Sequence, residues 1–510
     1  MSDPAPTPSL RERLQQFDMN PVWVKDLRQA ARNPFVAGAL LLVLAIFLLV
    51  CASITLGNAR RFSGGSMTYA GGQVFQAISS ITVVTAYIFL PIYFFSRTLM
   101  ERASINSDLL YITKMTPQQI VRGKFLSALY MILLFYSAAL PFLMASYLFR
   151  GVDLPTILLS VGFNTSTNLL LTLAAITLAL TSLSIFLKIS LGLILGFLAF
   201  VYGVSQVSIP LLISAGPAGV DILSPILLGT YGLNYLLIVG LVYQLAVAMV
   251  SPTSSNRALP IRRYISVLLF LVLGQLFYWA WSTGEEDFAT IGYLSVGVSI
   301  LNGFLLFSGT TNAPVGPRIQ RTIPKNFLLR IPAFLFYNGK FAGLCWLVAL
   351  WVAIQGTFAL FLAGWGQFQP APYFHREHEY LSAFLGCSLF VLYAFAYSLL
   401  AIGVQRLFFP NKNPNLASPF FLLLVCVPPL ATLAISVSSG NIFPLGDDPI
   451  PGMMLNLVPC IFDENTRGLY IHLGSSLALI VLGIGLNWRW IWEQMRQFRP
   501  LEETSVEAQP

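Results

Sequence analysis

Long stretches without a charged residue constrain this chain more than any other feature of its sequence. A membrane-spanning helix needs about 20 predominantly apolar residues, and twelve segments meet that need without any Asp, Glu, Lys or Arg. Charged residues make up only 10% of the chain, whereas soluble domains carry about 25%. The sequence therefore predicts an all-α polytopic membrane protein with about 12 transmembrane helices. The predicted spans are 35–56, 74–96, 125–149, 154–187, 189–214, 222–250, 264–283, 288–310, 341–364, 380–405, 418–440 and 468–488.

The basic residues between the spans predict the orientation. Cytoplasmic loops of membrane proteins carry an excess of Lys and Arg, and a cytosolic N-terminus puts 24 of the 29 basic residues inside. Residues 1–34 are polar and charged, so we expect no cleavable signal peptide and a first span that remains as an anchor. Both termini are thus predicted to be cytosolic, in a plasma (inner) membrane. The positive charge reflects topology and anionic lipid, and no nucleic-acid partner is expected.

The order of spans and loops predicts five regions. They are a cytosolic N-terminus (1–34), a six-span bundle (35–250), a cytosolic linker rich in Ser and Pro (251–263), a second six-span bundle (264–488) and a cytosolic tail (489–510).

The second half of the chain repeats the outline of the first. Its basic loop, 311–340, ends in Gly339-Lys340-Phe341, as the loop before the third span ends in Gly123-Lys124-Phe125. Segments containing Gly and Pro, 214–225 and 441–467, also fall at matching positions before the sixth and twelfth spans. Because transporters are often built from internal repeats, the pattern predicts two six-helix pseudo-repeats.

A short amphipathic helix is predicted before the first span. Asn20 is a good N-cap and Pro21 suits the first helical position, while Asn33 and Pro34 end the helix. At about 100° per residue, the apolar and basic side chains separate onto two faces, which is typical of a helix lying on the inner membrane surface. The apolar face holds Trp23, Val24, Leu27, Ala30 and Ala31, and the other holds Lys25, Arg28, Gln29 and Arg32.

The stretch from Ser96 to Phe125 is a charged island between two apolar spans. Thr116, Pro117 and Gln119 form the pattern of a capping box. We therefore expect one helix from Thr116 through Gly123 and Lys124 into the third span. Upstream, Leu99 to Lys114 has apolar residues among charges, which predicts a short amphipathic helix in a cytosolic loop at 97–124.

Three polar residues lie four positions apart in the fourth span, and therefore on one helix face. They are Asn164, Asn168 and Thr172. Such side chains commonly form hydrogen bonds between membrane helices. The alternative is that they line a substrate pathway, and the sequence leaves both interpretations open.

If the chain is a transporter, its sequence restricts the possible energy sources. Secondary transporters usually keep ionisable residues inside the membrane, and the predicted spans have none. Each Gly-Lys pair is followed by Phe and lacks the upstream Gly of a Walker A loop. We therefore expect no directly bound cofactor, and ATP would have to be bound by a partner chain.

The charged island contains Glu101-Arg102, Asp108-Leu109-Leu110, Thr116-Pro117, Ile120-Val121 and Gly123-Lys124. These residues resemble the cytosolic loop of type 2 ABC-transporter permeases. Asn20-Pro21-Val22 and the segment Lys25 to Gln29 are similar to the elbow that opens many such permeases, so the match lies mainly in residues 20–130. The loop 311–340 lacks the Glu-Arg and Leu-Leu elements.

The resemblance implies that the chain is a transport subunit and not itself an enzyme. It would be the permease of an ABC transporter, an exporter, with a separate cytosolic ATPase docked on its loop and, if only one half is permease-like, a second permease chain. It also implies a re-entrant outer element at 214–225. The coupling residues would be Glu101, Arg102, Asp108, Leu109, Leu110, Thr116, Pro117, Gly123 and Lys124.

Two other functions remain open at the level of sequence. A membrane enzyme such as a lipid-linked glycosyltransferase needs carboxylates at the outer face, and Asp447, Asp448, Asp463 and Glu464 lie in the last outer loop. A non-transporting scaffold derived from a permease would keep the spans without binding an ATPase. His375 and His378 are three residues apart in an outer loop but have neither a nearby Cys nor a third His, so no metal site is predicted.

Overall fold

The described structure is helical and divides into two compact units, Met1–Ser251 and Pro252–Pro510. It contains no strand among the described residues. The computed structural model describes residues 20–59, 70–103, 115–148, 152–181, 188–193, 195–197, 225–252, 254–283, 297, 300, 303–304, 315–368, 377–409, 417, 419–427 and 466–500.

The first unit is a helix bundle in which α3 contacts most of the other helices. Its described helices are α1 (Pro21–Ala31), α2 (Pro34–Ala59), α3 (Ala70–Ala103), α4 (Pro117–Leu148), α5 (Leu154–Leu180) and α6 (Pro225–Val250). The long helix α3 packs against α2, α4 and α5, while α6 packs against α4 and α5. The short helix α1 lies against α4 and α2. This arrangement brings α1, the C-terminal end of α3 and the N-terminal end of α4 together.

The second unit contains a closely packed helix pair. Its described helices are α7 (Ala258–Thr283), α8 (Pro317–Gln320), α9 (Phe327–Phe336), α10 (Lys340–Phe368), α11 (Glu377–Phe408) and α12 (Thr466–Gln497). Gly483 allows α11 and α12 to approach, because a Cβ at this position would lie 2.8 Å from Leu399 Cβ. Asn487 Nδ2 donates to the Leu399 carbonyl at 2.8 Å across the same contact.

The all-α membrane class predicted from the sequence is confirmed. Nine helices within the described residues are long and apolar enough to cross a membrane, and each overlaps a different predicted span. The predicted spans 189–214, 288–310 and 418–440 lie mostly outside the described residues. The nine helices are Pro34–Ile54, Gly71–Arg102, Pro117–Leu148, Leu154–Leu180, Leu228–Val250, Ala258–Ser282, Lys340–Leu360, Leu385–Phe408 and Arg467–Gln497.

The helix bounds differ from several predicted span bounds, because charged or polar residues continue or end a helix. The helix of the second span runs to Ala103 and α4 begins at Pro117, so both ends of the predicted cytosolic loop 97–124 are helical. Within Leu99–Lys114, the first five residues therefore belong to α3, and 104–114 lie outside the described residues. Helix α7 begins at Ala258, inside the predicted linker. Helix α5 ends at Leu180 because Thr181 has an extended backbone.

Candidate functional site

Helix α1 is fastened to the beginning of α4 by Asn20. Its side-chain oxygen accepts a hydrogen bond from Val22 N at 3.0 Å, as an N-cap does. Its Nδ2 donates to the Gln119 carbonyl at 2.6 Å. At the same contact a Cβ on Gly123 would lie 2.8 Å from Val22 Cβ, so only glycine lets the two helices approach this closely. The predicted cap at Asn20 is confirmed, and it also joins two helices.

The predicted capping box at the start of α4 is also confirmed. Thr116 N donates to Gln119 Oε1 at 2.9 Å, and Gln119 N donates to Thr116 Oγ1 at 3.3 Å. These reciprocal bonds satisfy backbone donors that a helix start leaves unpaired. Pro117 is the first residue of α4, and the helix continues through Gly123 and Lys124. The segment after the charged loop therefore enters the spanning helix without a break.

Five charged side chains from α1, α3 and α4 meet in what we call the Glu101 cluster: Lys25, Asp26, Arg97, Glu101 and Lys124. Lys25 Nζ lies 3.2 Å from Glu101 Oε1, and Lys124 Nζ pairs with the other carboxylate oxygen, Oε2. Arg97 Nε lies 3.9 Å from Glu101 Oε1, one helical turn away on α3. One carboxylate thus joins three helices.

The second carboxylate of the Glu101 cluster is buried against Arg97. Asp26 is only 4% exposed, and its Oδ1 lies 3.4 Å from Arg97 Nη2. Arg97 also donates to Tyr93 OH at 2.8 Å and to Gln29 Oε1. Since it bonds to two residues of α1, Arg97 holds α1 against α3.

Burial has the largest effect on the pKa of Asp26. Removal from water raises the pKa of the Asp26 carboxyl above its ordinary value of 3.8. The positive charges of Lys124, Arg97 and Lys25 oppose this shift, while the Glu101 carboxylate adds to it. The ionised form of Asp26 therefore remains costly even among three cations.

Arg102 connects α3 to the end of α5, whereas its neighbour Glu101 connects α3 to α1 and α4. Its Nη1 donates to the Thr181 carbonyl at 2.8 Å, just beyond the end of α5. Lys188 Nζ donates to the Ala179 carbonyl at 3.0 Å, in the last turn of α5. The end of α3 is therefore bonded to α1 and α4 through Glu101, and to the end of α5 through Arg102.

The structure brings together part of the site predicted from the sequence. Glu101 and Lys124 form an ion pair, Thr116 and Pro117 start α4, and Gly123 contacts α1. Asp108, Leu109 and Leu110 lie outside the described residues.

Three members of the Glu101 cluster were not predicted from the sequence as site residues: Lys25, Asp26 and Arg97. Two signals were present in the sequence. Arg97 and Glu101 are four residues apart, which places them on one helix face. Val22, Asp26 and Ala30 also share a spacing of four, and all three are buried, whereas Ala31 of the predicted apolar face is exposed.

The polar stripe of α5 is buried within the first unit. Asn164, Asn168 and Thr172 are at most 5% exposed. Tyr87 OH, on α3, donates to Asn164 Oδ1 at 3.0 Å, and Thr172 Oγ1 donates to Asn168 Oδ1 at 3.4 Å. The Tyr87 bond is a contact between two membrane helices.

The two Gly-Lys-Phe triplets occupy different structural positions. Gly123 and Lys124 lie inside α4, whereas Gly339 precedes α10 with a φ of +155°. In the second unit the buried Arg262 donates to the carbonyls of Leu335, Tyr337 and Gly339 at 2.6, 2.7 and 3.0 Å. Arg262 is thus bound by backbone carbonyls, whereas Lys124 in the first unit is bound by a carboxylate. The two triplets are identical in sequence but not equivalent in structure.

The other candidate residues fall largely outside the described part of the chain. This applies to His375, to segment 214–224 and to the four acidic residues of the last outer loop. Within the described ranges, no group of three or more His, Cys, Asp or Glu residues could hold a metal ion. A buried hydrogen bond of 2.9 Å joins Tyr393 OH and His472 Nδ1 between α11 and α12.

Comparisons with known proteins gave no match. No protein-family model, curated protein or solved structure matched this chain significantly. Function is therefore inferred from the residues and their arrangement.

Proposed function

We propose that this chain is the membrane-spanning permease subunit of an ABC exporter driven by a separate cytosolic ATPase. In this proposal it has twelve spans in two six-helix bundles, with both termini in the cytosol, and it resides in the plasma (inner) membrane. Without a Walker A loop in the sequence, ATP binding and hydrolysis belong to the partner.

The observation that carries the proposal is the position of the Glu101 cluster. The charged loop leaves α3 after Ala103 and returns into α4 at Pro117. Glu101, two residues before the loop, is paired with Lys124, seven residues into α4. A force on the loop would therefore act on both helices together. Lys25 and Arg97 extend this connection to α1, and Arg102 extends it to the end of α5.

This arrangement suits a permease that works by alternating access. Dimer closure by the ATPase would push the loop, and the linked ends of α1, α3, α4 and α5 would move as one body. Rigid-body movement of packed helices is an established way of switching a transporter between its open states. Without the side-chain contacts, movement of the loop would not be passed on to α1 and α5.

The proposal separates two roles within the predicted coupling residues. Asp108, Leu109 and Leu110 would contact the ATPase. Glu101, Arg102 and Lys124 would transmit its movement, because their side chains are engaged within the first unit.

The test is purification of the full chain from its native membrane in gentle detergent, followed by identification of any ATP-binding subunit that co-purifies with it. We expect Asp108→Lys to abolish association. Asp153→Lys is the matched control, since Asp153 is exposed and makes no side-chain capping bond. Glu101→Gln should keep the association but reduce the ATP hydrolysis of the complex, because a docked subunit would be poorly coupled.

Two results would contradict the proposal. If no ATP-binding subunit associates with the wild-type chain, a permease would have no energy source. The hypothesis of a non-transporting scaffold would then be favoured. If Asp108→Lys and Glu101→Gln both leave association and ATP hydrolysis unchanged, the charged loop has no coupling role.

A further inference from the structure

A groove of about 940 Å³ lies beside the Glu101 cluster, between α1, α2, α3 and α4. Its volume is near the upper end of the range of about 300–1,000 Å³ that is usual for small-molecule sites. It is therefore large enough for an elongated ligand.

The lining of the groove has two chemically different parts. Along α2 and α3 it is apolar, with Phe35, Ala39, Leu42, Ile88 and Ile92 among the lining residues. Near α1 it is polar and charged. The polar residues that line this end are Lys25, Gln29, Asn33, Ser96, Arg97 and Glu101. An amphiphile with an apolar chain and a polar head matches this division.

Apolar side chains of the groove wall remain exposed on the protein. Phe35 is 65% exposed, Leu42 63% and Ile92 60%. Since α2 and α3 are long enough to span a membrane, these side chains would face lipid acyl chains. The apolar part of the groove is therefore suited to an acyl chain held along α2 and α3.

The charge at the polar end favours an anionic head group. The Glu101 cluster already neutralises its two carboxylates internally. Arg28 and Arg32 do not line the groove itself, but they lie next to its polar end, on the same face of α1 as Lys25. Their exposed side chains have no acidic partner among the described residues. Across α1 and the Glu101 cluster, five basic side chains face only two acidic ones. Basic pockets between membrane helices commonly bind anionic lipid head groups.

We propose that this groove binds one anionic phospholipid as a resident ligand. Its phosphate would lie against Lys25 and the neighbouring Arg28 and Arg32, and its chains would lie along α2 and α3. The lipid would fill the space between these helices and so hold α1 in place beside the Glu101 cluster. This inference does not depend on the proposed function.

The experiment is native mass spectrometry of the purified full chain in uncharged detergent. The probes are phosphatidylglycerol and phosphatidylcholine with identical acyl chains. We expect one tightly bound phosphatidylglycerol per chain and an affinity about tenfold higher than for phosphatidylcholine, because each basic residue near an anionic head group contributes modestly. Equal affinity for the two lipids would overturn the proposal.

Two matched pairs of variants locate the lipid. Ala39→Trp fills the groove and should lower phosphatidylglycerol affinity at least fivefold, whereas Ala37→Trp, exposed on α2 outside the groove, should leave it unchanged. Unchanged binding by Ala39→Trp would refute the site.

The second pair tests the head group and does not alter the buried packing. Arg28→Gln with Arg32→Gln should remove most of the preference for phosphatidylglycerol, while Arg263→Gln, exposed in the second unit, should not. If the double variant keeps the full preference, the proposed head-group contact is wrong.

Discussion

The Glu101 carboxylate pairs with two lysines that differ sharply in exposure. The side chain of Lys25 is 45% exposed, that of Lys124 only 9%, and that of Glu101 itself 26%. Exposed ion pairs contribute about 0–1 kcal/mol, whereas removing one partner of a buried pair costs about 3–5 kcal/mol. The two lysines should therefore contribute unequally to stability.

Two single substitutions, at Lys25 and at Glu101, test this inequality. We expect Lys25→Gln to change the free energy of unfolding by less than about 1 kcal/mol. Glu101→Gln should cost about 1–3 kcal/mol, less than a fully buried pair, because Lys124 loses its counter-charge in a partly exposed site. Thermal unfolding in detergent measures both.

The double variant Glu101→Gln with Lys124→Met provides the control. It should recover part of the loss, since neither charge then remains unpaired. Equal effects of Lys25→Gln and Glu101→Gln would show that burial of Lys124 does not matter.

The raised pKa of Asp26 has a definite consequence for the pH dependence of stability. Above its ordinary value of 3.8, the unfolded chain has released this proton while the folded protein still holds it. The folded state therefore binds more protons in this window, and its stability falls as pH rises through it. The burial cost of the carboxylate is fully present above the folded pKa.

Asp26→Asn should reveal this cost, because Asn has nearly the shape of the protonated acid. At pH near 3.8 the two proteins should have similar melting temperatures. As pH rises, Asp26→Asn should become the more stable of the two. Parallel melting curves in detergent over this range give the difference at each pH. A wild-type protein that gains on the variant with rising pH would mean that the ion pair with Arg97 outweighs burial.

Contacts between residues close together in the sequence could be predicted, whereas contacts between residues far apart in the sequence could not. The capping box of Thr116 and Gln119 involves residues three apart, so its geometry is set by the helix start alone. Asp26 and Arg97 are 71 positions apart. Their pairing depends on how α1 packs against α3, which periodicity within one helix does not contain.

Among the elements, the contact of α1 with α4 depends on a single glycine. Overpacking of a close contact typically costs about 1–3 kcal/mol, and a Cβ at Gly123 would meet Val22 and Asn20 within 3.1 Å. We therefore expect Gly123→Ala to lower the melting temperature and to increase hydrogen exchange in α1.

Gly162→Ala on α5 is the matched control, because a Cβ there meets nothing within 4 Å. Replacing a glycine inside a helix by alanine should stabilise it by about 0.5–1 kcal/mol when space allows. If Gly123→Ala is also stabilising, α1 does not depend on this close approach.

The ends of helices were harder to predict than their existence. Hydropathy placed the end of the second span at residue 96, but α3 continues to Ala103, where Arg97, Glu101 and Arg102 all bind partners on other elements. The same limitation applies to Gly339. Its sequence neighbours match those of Gly123, but its positive φ and its bond to Arg262 are set by the packing of α7 and α10.

At the scale of the whole molecule, the number of spans decides on which side each loop lies. Five of the nine membrane-long helices of the described residues belong to the first unit and four to the second. Five crossings would put residue 255 on the opposite side from residue 20. The predicted span 189–214 adds a sixth crossing and returns residue 255 to the side of residue 20.

Reporter fusions after residue 255 distinguish these two topologies. We expect alkaline phosphatase fused after Ser255 to be inactive and a green fluorescent protein at the same position to be fluorescent, because twelve spans place this segment in the cytosol with most of the basic residues. A phosphatase fusion after Gly64, predicted to lie outside, is the active control.

An active phosphatase after Ser255 would mean that 189–214 does not cross the membrane. The charged loop after α3 would keep its side, since only two spans precede it, but the second unit would be inverted and its basic loop 311–340 would face outward. The positive-inside bias makes that inverted arrangement unfavourable, so the fusion after Ser255 tests the charge argument and the span count together.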